Sequence, residues 1–141
     1  HPNVGIALSV LGRILTRTGR WDEAERALRR SLDVIERAMG PDAVDTAYPL
    51  VALGDLFVSH QRARDALPYL ARATAIRSAR VDEARDVADG AIVHGRALLA
   101  IGKRAEATAV VRAARNRIAG GAEIDADMLS RLDAWIESPV P

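Results

Sequence analysis

Cysteine is missing from all 141 residues, which removes disulfides, thiolate metal sites and a cysteine nucleophile from consideration. That composition fits a cytoplasmic protein. Aromatic residues make up only 4% of the chain, and Lys103 is the only lysine, so every other basic residue is arginine. Neither sign of charge prevails. The net charge of +1 lacks the basic surplus that a nucleic-acid-coating protein uses to displace counterions. No apolar run approaches the roughly 18 residues needed to cross a bilayer, and no signal-peptide pattern is visible. A Gly-rich phosphate loop, a nucleophile elbow and a zinc signature are also absent. The chain opens at His1-Pro2 inside a repeating pattern, as a piece of a longer protein does.

Against these absences, 49% of residues are hydrophobic and alanine supplies roughly a fifth of the chain. Alanine has the best helix propensity, and its small side chain lets helices approach closely. The sequence also repeats itself. Leu11-Gly12 returns as Leu53-Gly54, and Gly95 takes the glycine position a third time. Gly19-Arg20-Trp21-Asp22-Glu23-Ala24 returns as Gln61-Arg62-Ala63-Arg64-Asp65-Ala66, then as Gly102-Lys103-Arg104-Ala105-Glu106-Ala107. The offsets are 42 and then 41 residues. A period of this length marks a solenoid, whose units bury their apolar faces only against their neighbours.

Each unit reads as two helices joined by a tight turn. The first helix runs from about Asn3 to Thr18, with Val4, Ala7, Leu8, Leu11 and Leu15 on one face as its core stripe. Leu11→Ala is accordingly expected to cost roughly 2–5 kcal/mol. Gly19 suits a left-handed helix terminus, and Gln61 in the same place predicts a strained or differently closed turn. The second helix carries Ala24, Leu28, Ser31, Leu32 and Ile35 to about Met39. Gly40-Pro41 then stops it, and Asp42 is placed to cap the next helix. Leu50, Leu53, Leu56 and Phe57, then Ala66, Leu70, Ala73 and Ile76, form the second core set. Pro49 and Pro68 predict irregular first turns there. Val87, Ala91, His94 and Leu98, then Ala107, Val111, Ala114 and Ile118, form the third. Ile124, Met128, Leu129, Leu132, Trp135 and Ile136 mark a last amphipathic helix that caps the stack, before a tail at 139–141.

Leu8, Leu11-Gly12 and Leu15, followed by Gly19, Ala24, Leu28 and Ser31, resemble the tetratricopeptide repeat. The unit of about 42 residues, with His1-Pro2-Asn3-Val4 and Gly19-Arg20-Trp21-Asp22-Glu23-Ala24-Glu25, is similar to the kinesin-light-chain type of bacterial signalling proteins. Ala43-Val44 and Ala84-Arg85 depart from that pattern, as does His94. The resemblance implies an all-α, right-handed α-α superhelix: three helical hairpins (repeats about 1–42, 43–83 and 84–120) plus a capping helix at about 124–137, in one domain over 1–138. It also implies a concave groove, lined by the first helices, that binds a peptide or a partner domain. Some relatives clamp carboxyl-terminal peptides with lysine and asparagine. Ser9, Arg13, Ala52 and Asp55 stand on the corresponding faces here, so that clamp is not expected.

The helical wheel gathers Ile6, Ser9, Arg13 and Arg17 on one face of the first helix. Equivalent positions are Tyr48, Val51, Asp55 and Ser59, then Asp89, Ile92 and Arg96. Arginine and tyrosine are frequent binding hot spots. The plainer reading is a set of structural ion pairs, Arg13 with Asp55 and Asp55 with Arg96. Arg26, Arg29, Arg30 and Arg37 interleave with Glu23, Glu25, Asp33 and Glu36, which favours salt bridging on a solvated helix over phosphate binding. His94 reads as a packed, hydrogen-bonded histidine, and Trp21 and Trp135 as core and cap anchors. Asp82-Glu83 and Asp125/Asp127 fit helix starts, where they complement the dipole.

Three functions compete. The leading one is a noncatalytic protein-interaction scaffold without cofactor, metal, nucleic acid or membrane. The second is the regulatory carboxyl-terminal region of a bacterial signalling enzyme, a serine/threonine kinase or a nucleotide-binding switch ATPase. The third is self-association through apolar surface at the amino-terminal end.

Overall fold

The computed structural model describes residues 1–79, 84–121 and 124–141. Among them stand seven α-helices and no strand: α1 (Pro2–Arg17), α2 (Trp21–Met39), α3 (Ala47–Ser59), α4 (Ala63–Ser78), α5 (Ala84–Ala100), α6 (Arg104–Ala119) and α7 (Ala126–Glu137). α1/α2, α3/α4 and α5/α6 pack as hairpins, α1, α3 and α5 pack in succession, and α7 lies against α5 and α6. The result is an all-α helical-repeat solenoid.

One close approach recurs at each hairpin. A Cβ on Gly12 would overlap Leu28, one on Gly54 would overlap Leu70, and one on Gly95 would overlap Val111 and Trp135. The first helix supplies the notch and the second helix the knob, which sets the crossing distance. Leu53, Leu56, Phe57, Leu70 and Ala97 continue the core across the second and third hairpins. Leu67 packs on both that cluster and the one built by Val111, Leu132 and Trp135.

The turns follow the sequence closely. Gly19, Gln61 and Gly102 all take positive φ, at 74°, 59° and 83°. Gln61 therefore closes its turn as the glycines do, in a conformation that costs a non-glycine residue ~1–2 kcal/mol. Before α3, residues Val44–Thr46 form a 3₁₀ turn, which puts Pro49 at the third helical position. α4 opens on an i+3 bond from Asp65 N to Arg62 O and runs through Pro68 unbroken. Asp125 caps α7 by accepting from Met128 N at 3.0 Å.

Four expectations need correction. The packed face of α1 is Gly5, Ser9, Gly12, Leu15 and Thr16, whereas Val4 and Leu11 are about half exposed, at 49% and 46%. The small residues admit Ile35 and Leu28 from α2, so the larger aliphatic side chains turn outward. Leu11→Ala thus empties no core site. Asp42 does not cap α3, because the 3₁₀ turn intervenes and Thr46 Oγ1 instead donates to Gly40 O at 2.9 Å. Ile124 precedes α7 and is 65% exposed, outside the cap's buried face of Met128, Leu132 and Trp135. Among the described residues Arg13 forms no pair with Asp55; only the Asp55–Arg96 pair exists. Asp82 and Glu83 lie outside the described residues.

Candidate partner-binding groove

α1, α3 and α5 present one side chain set to a shared open cavity of about 330 Å³. Of the groove residues named from the wheel, Ser9, Arg13, Arg17, Tyr48, Val51, Asp55, Asp89 and Ile92 line it. Ile6, Ser59 and Arg96 do not, although Arg96 reaches it indirectly through its 3.2 Å ion pair with Asp55. Ser9 is buried on the packed face of α1, whereas Ile6 is half exposed beside it.

Five lining residues have no place in the helical-wheel set: apolar Ala52 and Val93, and charged Arg77, Asp86 and Arg131. Arg77 belongs to α4, yet its guanidinium crosses α5 at Gly90, where a Cβ would collide with Nη1. There it donates to Asp86 O and lies 5.7 Å from the Tyr48 ring centroid. A sequence signal for it existed. Arg77 occupies the column held by Ile35 and Ile118 in the other hairpins, and Gly90 the column of Pro49. A cation in an isoleucine column, beside a glycine, marks a side chain that has to reach past its own helix pair. Arg131 comes from α7, which has no counterpart among the repeats and so no column to be read from.

The electrostatics of the groove are uneven. The Tyr48 hydroxyl donates to Asp86 Oδ2 at 2.7 Å, and this bond, with burial second, pushes the phenol up to about 12. Asp89 faces Arg131 at 3.4 Å and Asp55 faces Arg96. Each groove aspartate is thus engaged. Arg13 and Arg17 take part in no ion pair or side-chain hydrogen bond among the described residues, and both are exposed. The groove thus holds two guanidinium forks without a protein partner among the described residues, beside aliphatic Val51 and Ile92, a geometry whose chemistry suits carboxylates.

The other singled-out residues have structural partners. Arg29 pairs with Glu25 at 2.8 Å and Arg37 with Asp33 at 2.9 Å. Trp21 stacks on His60 at 4.9 Å, and the Trp135 indole is buried while its N–H donates to Val140 O. The half-buried His94 sits 3.1 Å from Thr74 Oγ1, and burial holds its imidazole below the usual histidine range. Among the described residues no three histidine or acidic side chains are grouped to hold a metal ion.

The helix pairs and their crossings have a family counterpart. A family model described as Tetratricopeptide repeat matches residues 3–79, just over half of the chain. The chain belongs to the tetratricopeptide repeat family. Tetratricopeptide repeats generally mediate protein–protein interaction and are generally noncatalytic. The match stops before α5, but the Gly95–Val111 crossing reproduces the tetratricopeptide geometry of Gly12–Leu28 and Gly54–Leu70. A search of curated proteins returned no match. Among the described residues no helix is long and apolar enough to cross a membrane.

Proposed function

We propose that this tetratricopeptide domain, as one unit over 1–138, binds an acidic peptide segment of a partner protein in the groove lined by α1, α3 and α5. The observation that carries the reading is the imbalance just described: the groove aspartates are engaged, while Arg13 and Arg17 are not. Aliphatic Val51 and Ile92 give an extended peptide apolar purchase between its charges. The chain on this reading is a noncatalytic scaffold. Its kinesin-light-chain-like subtype rests on the 42- and 41-residue offsets, and its cytoplasmic location on the absence of cysteine. A bacterial signalling enzyme as parent rests on that subtype alone. The test is affinity selection of peptides from a random library, followed by titration of the winners into Arg13→Ala and Arg17→Ala. Acidic winners that lose affinity in both variants support the proposal. Winners without acidic residues, or unchanged affinity in both, overturn it.

A second reading is favoured by the outer face of α1, where Val4, Val10, Leu11 and Ile14 stand half exposed in one helix. A second copy of the chain laid on this face would bury them. Light scattering at rising concentration tests it. Dimerisation that Leu11→Glu abolishes is the expected result, and a strictly monomeric chain at high concentration contradicts it.

A further inference from the structure

On the other side of α5 from the groove, the gap between α4 and α6 holds a second cavity of about 340 Å³. The repeat itself offers the control, because the corresponding gap between α2 and α4 is filled. There Leu32 and Tyr69 pack on the Ala73–Ile76 cluster, and Arg29 donates to the Tyr69 hydroxyl at 2.9 Å. Arg72 closes the mouth through a 2.5 Å ion pair with Glu36. Shifted by one repeat, Leu32 becomes Thr74, Tyr69 becomes Val110, Arg72 becomes Ala113 and Glu36 becomes Ser78. Beneath them Pro49 and Leu50 become Gly90 and Ala91. Six truncations along one gap remove the side chains that close it elsewhere, so the opening belongs to this pair of repeats and not to the fold.

The lining is apolar over most of its area and, among the described residues, contains no aspartate or glutamate. Its charged members among the described residues are Arg77 and Arg117. Arg117 is partly exposed and donates one N–H to Arg77 O, from a group that carries five N–H donors. An alkyl body beside Ala109, Val110 and Ala113, with a carboxylate turned to Arg117, matches both the volume and the charge. We infer that the α4–α6 cavity is a binding site for a medium-chain aliphatic carboxylate. A neutral chain would leave the guanidinium unanswered. A multiply charged ligand would lack apolar area to fill the space.

Octanoate is the probe, with octanol and acetate as the charge and chain controls, followed by amide shifts in the intact chain. Octanoate is expected to move Thr74, Val110, Ala113 and Arg117 and to bind about tenfold tighter than octanol, as a charge-assisted hydrogen bond allows. Acetate should move none of them. The double variant Thr74→Leu/Val110→Tyr restores the side chains of the first gap and should abolish binding. Arg117→Met leaves the cavity open and should bring octanoate down to octanol. Should the double variant fail to fold, Arg117→Met decides alone. No saturable octanoate binding, equal affinity for octanol, unchanged binding in Arg117→Met, or shifts confined to Arg13, Arg17 and Tyr48 would each overturn the inference.

Discussion

Asp55 and Arg96 hold each other at 3.2 Å between α3 and α5, and the aspartate is the one acidic side chain of α3 that faces the groove. The pair ties up one guanidinium beside the proposed peptide site and presents a shielded carboxylate instead. Asp55→Ala therefore releases Arg96 and is expected to strengthen acidic-peptide binding about threefold, with a steeper salt dependence. Arg96→Ala leaves Asp55 exposed to the same peptide and weakens binding. Stability changes by no more than ~1 kcal/mol in either case, because both side chains are partly exposed. Calorimetric titration at two salt concentrations checks the signs.

The glycine notches carry the fold more than the outward leucines do. Gly54→Ala places a methyl group against Leu70 and is expected to cost about 1–3 kcal/mol despite alanine's better helix propensity. Leu11→Ala removes a half-exposed side chain and costs under about 1 kcal/mol. Urea denaturation of both variants measures the contrast.

Gln61 performs a glycine's task with φ at 59°. Gln61→Gly relieves the left-handed strain, offset in part by glycine's greater freedom when unfolded. It is expected to stabilise the chain by about 0.5–1 kcal/mol. A rise in melting temperature without change in helicity is the readout. No rise would mean that the side chain repays its backbone conformation elsewhere.

His94 makes stability depend on pH. Burial lowers its folded-state pKa, so as pH falls the unfolded chain takes up the proton first. The stability contributed by neutral His94 is full above the unfolded value of about 6.5 and is lost as pH drops through it toward the lower folded value. The melting temperature of the native chain should fall more between pH 7.5 and 5.5 than that of His94→Gln. Equal slopes would place the pH dependence elsewhere.

Much of this architecture is legible in the residues because it is local. Helical spacing, glycines at 42- and 41-residue offsets and turn residues at fixed positions report on neighbours in the chain. The apolar side chains of α1 misled for a physical reason. Periodicity identifies an apolar face but not which face a neighbouring helix covers, and close crossing selects the small-residue face of Gly5, Ser9 and Gly12. In the groove, eight of the residues contributed by α1, α3 and α5 followed from the wheel, while Ala52, Asp86 and Val93 of the same helices did not. Arg77 did not either, since a single helix's wheel carries no sign of its reach across α5, which shows only when its isoleucine column and the gap at Gly90 are read together. The filled and open gaps on the far side likewise emerge only when equivalent positions are compared in space.

Amide-shift mapping of the intact chain with a selected acidic peptide tests the central claim most directly. Shifts concentrated at Arg13, Arg17, Tyr48, Val51 and Ile92, attenuated by added salt, are the predicted result. Shifts that fall instead on the outer residues of α2, α4 and α6, with these five unmoved, would contradict it.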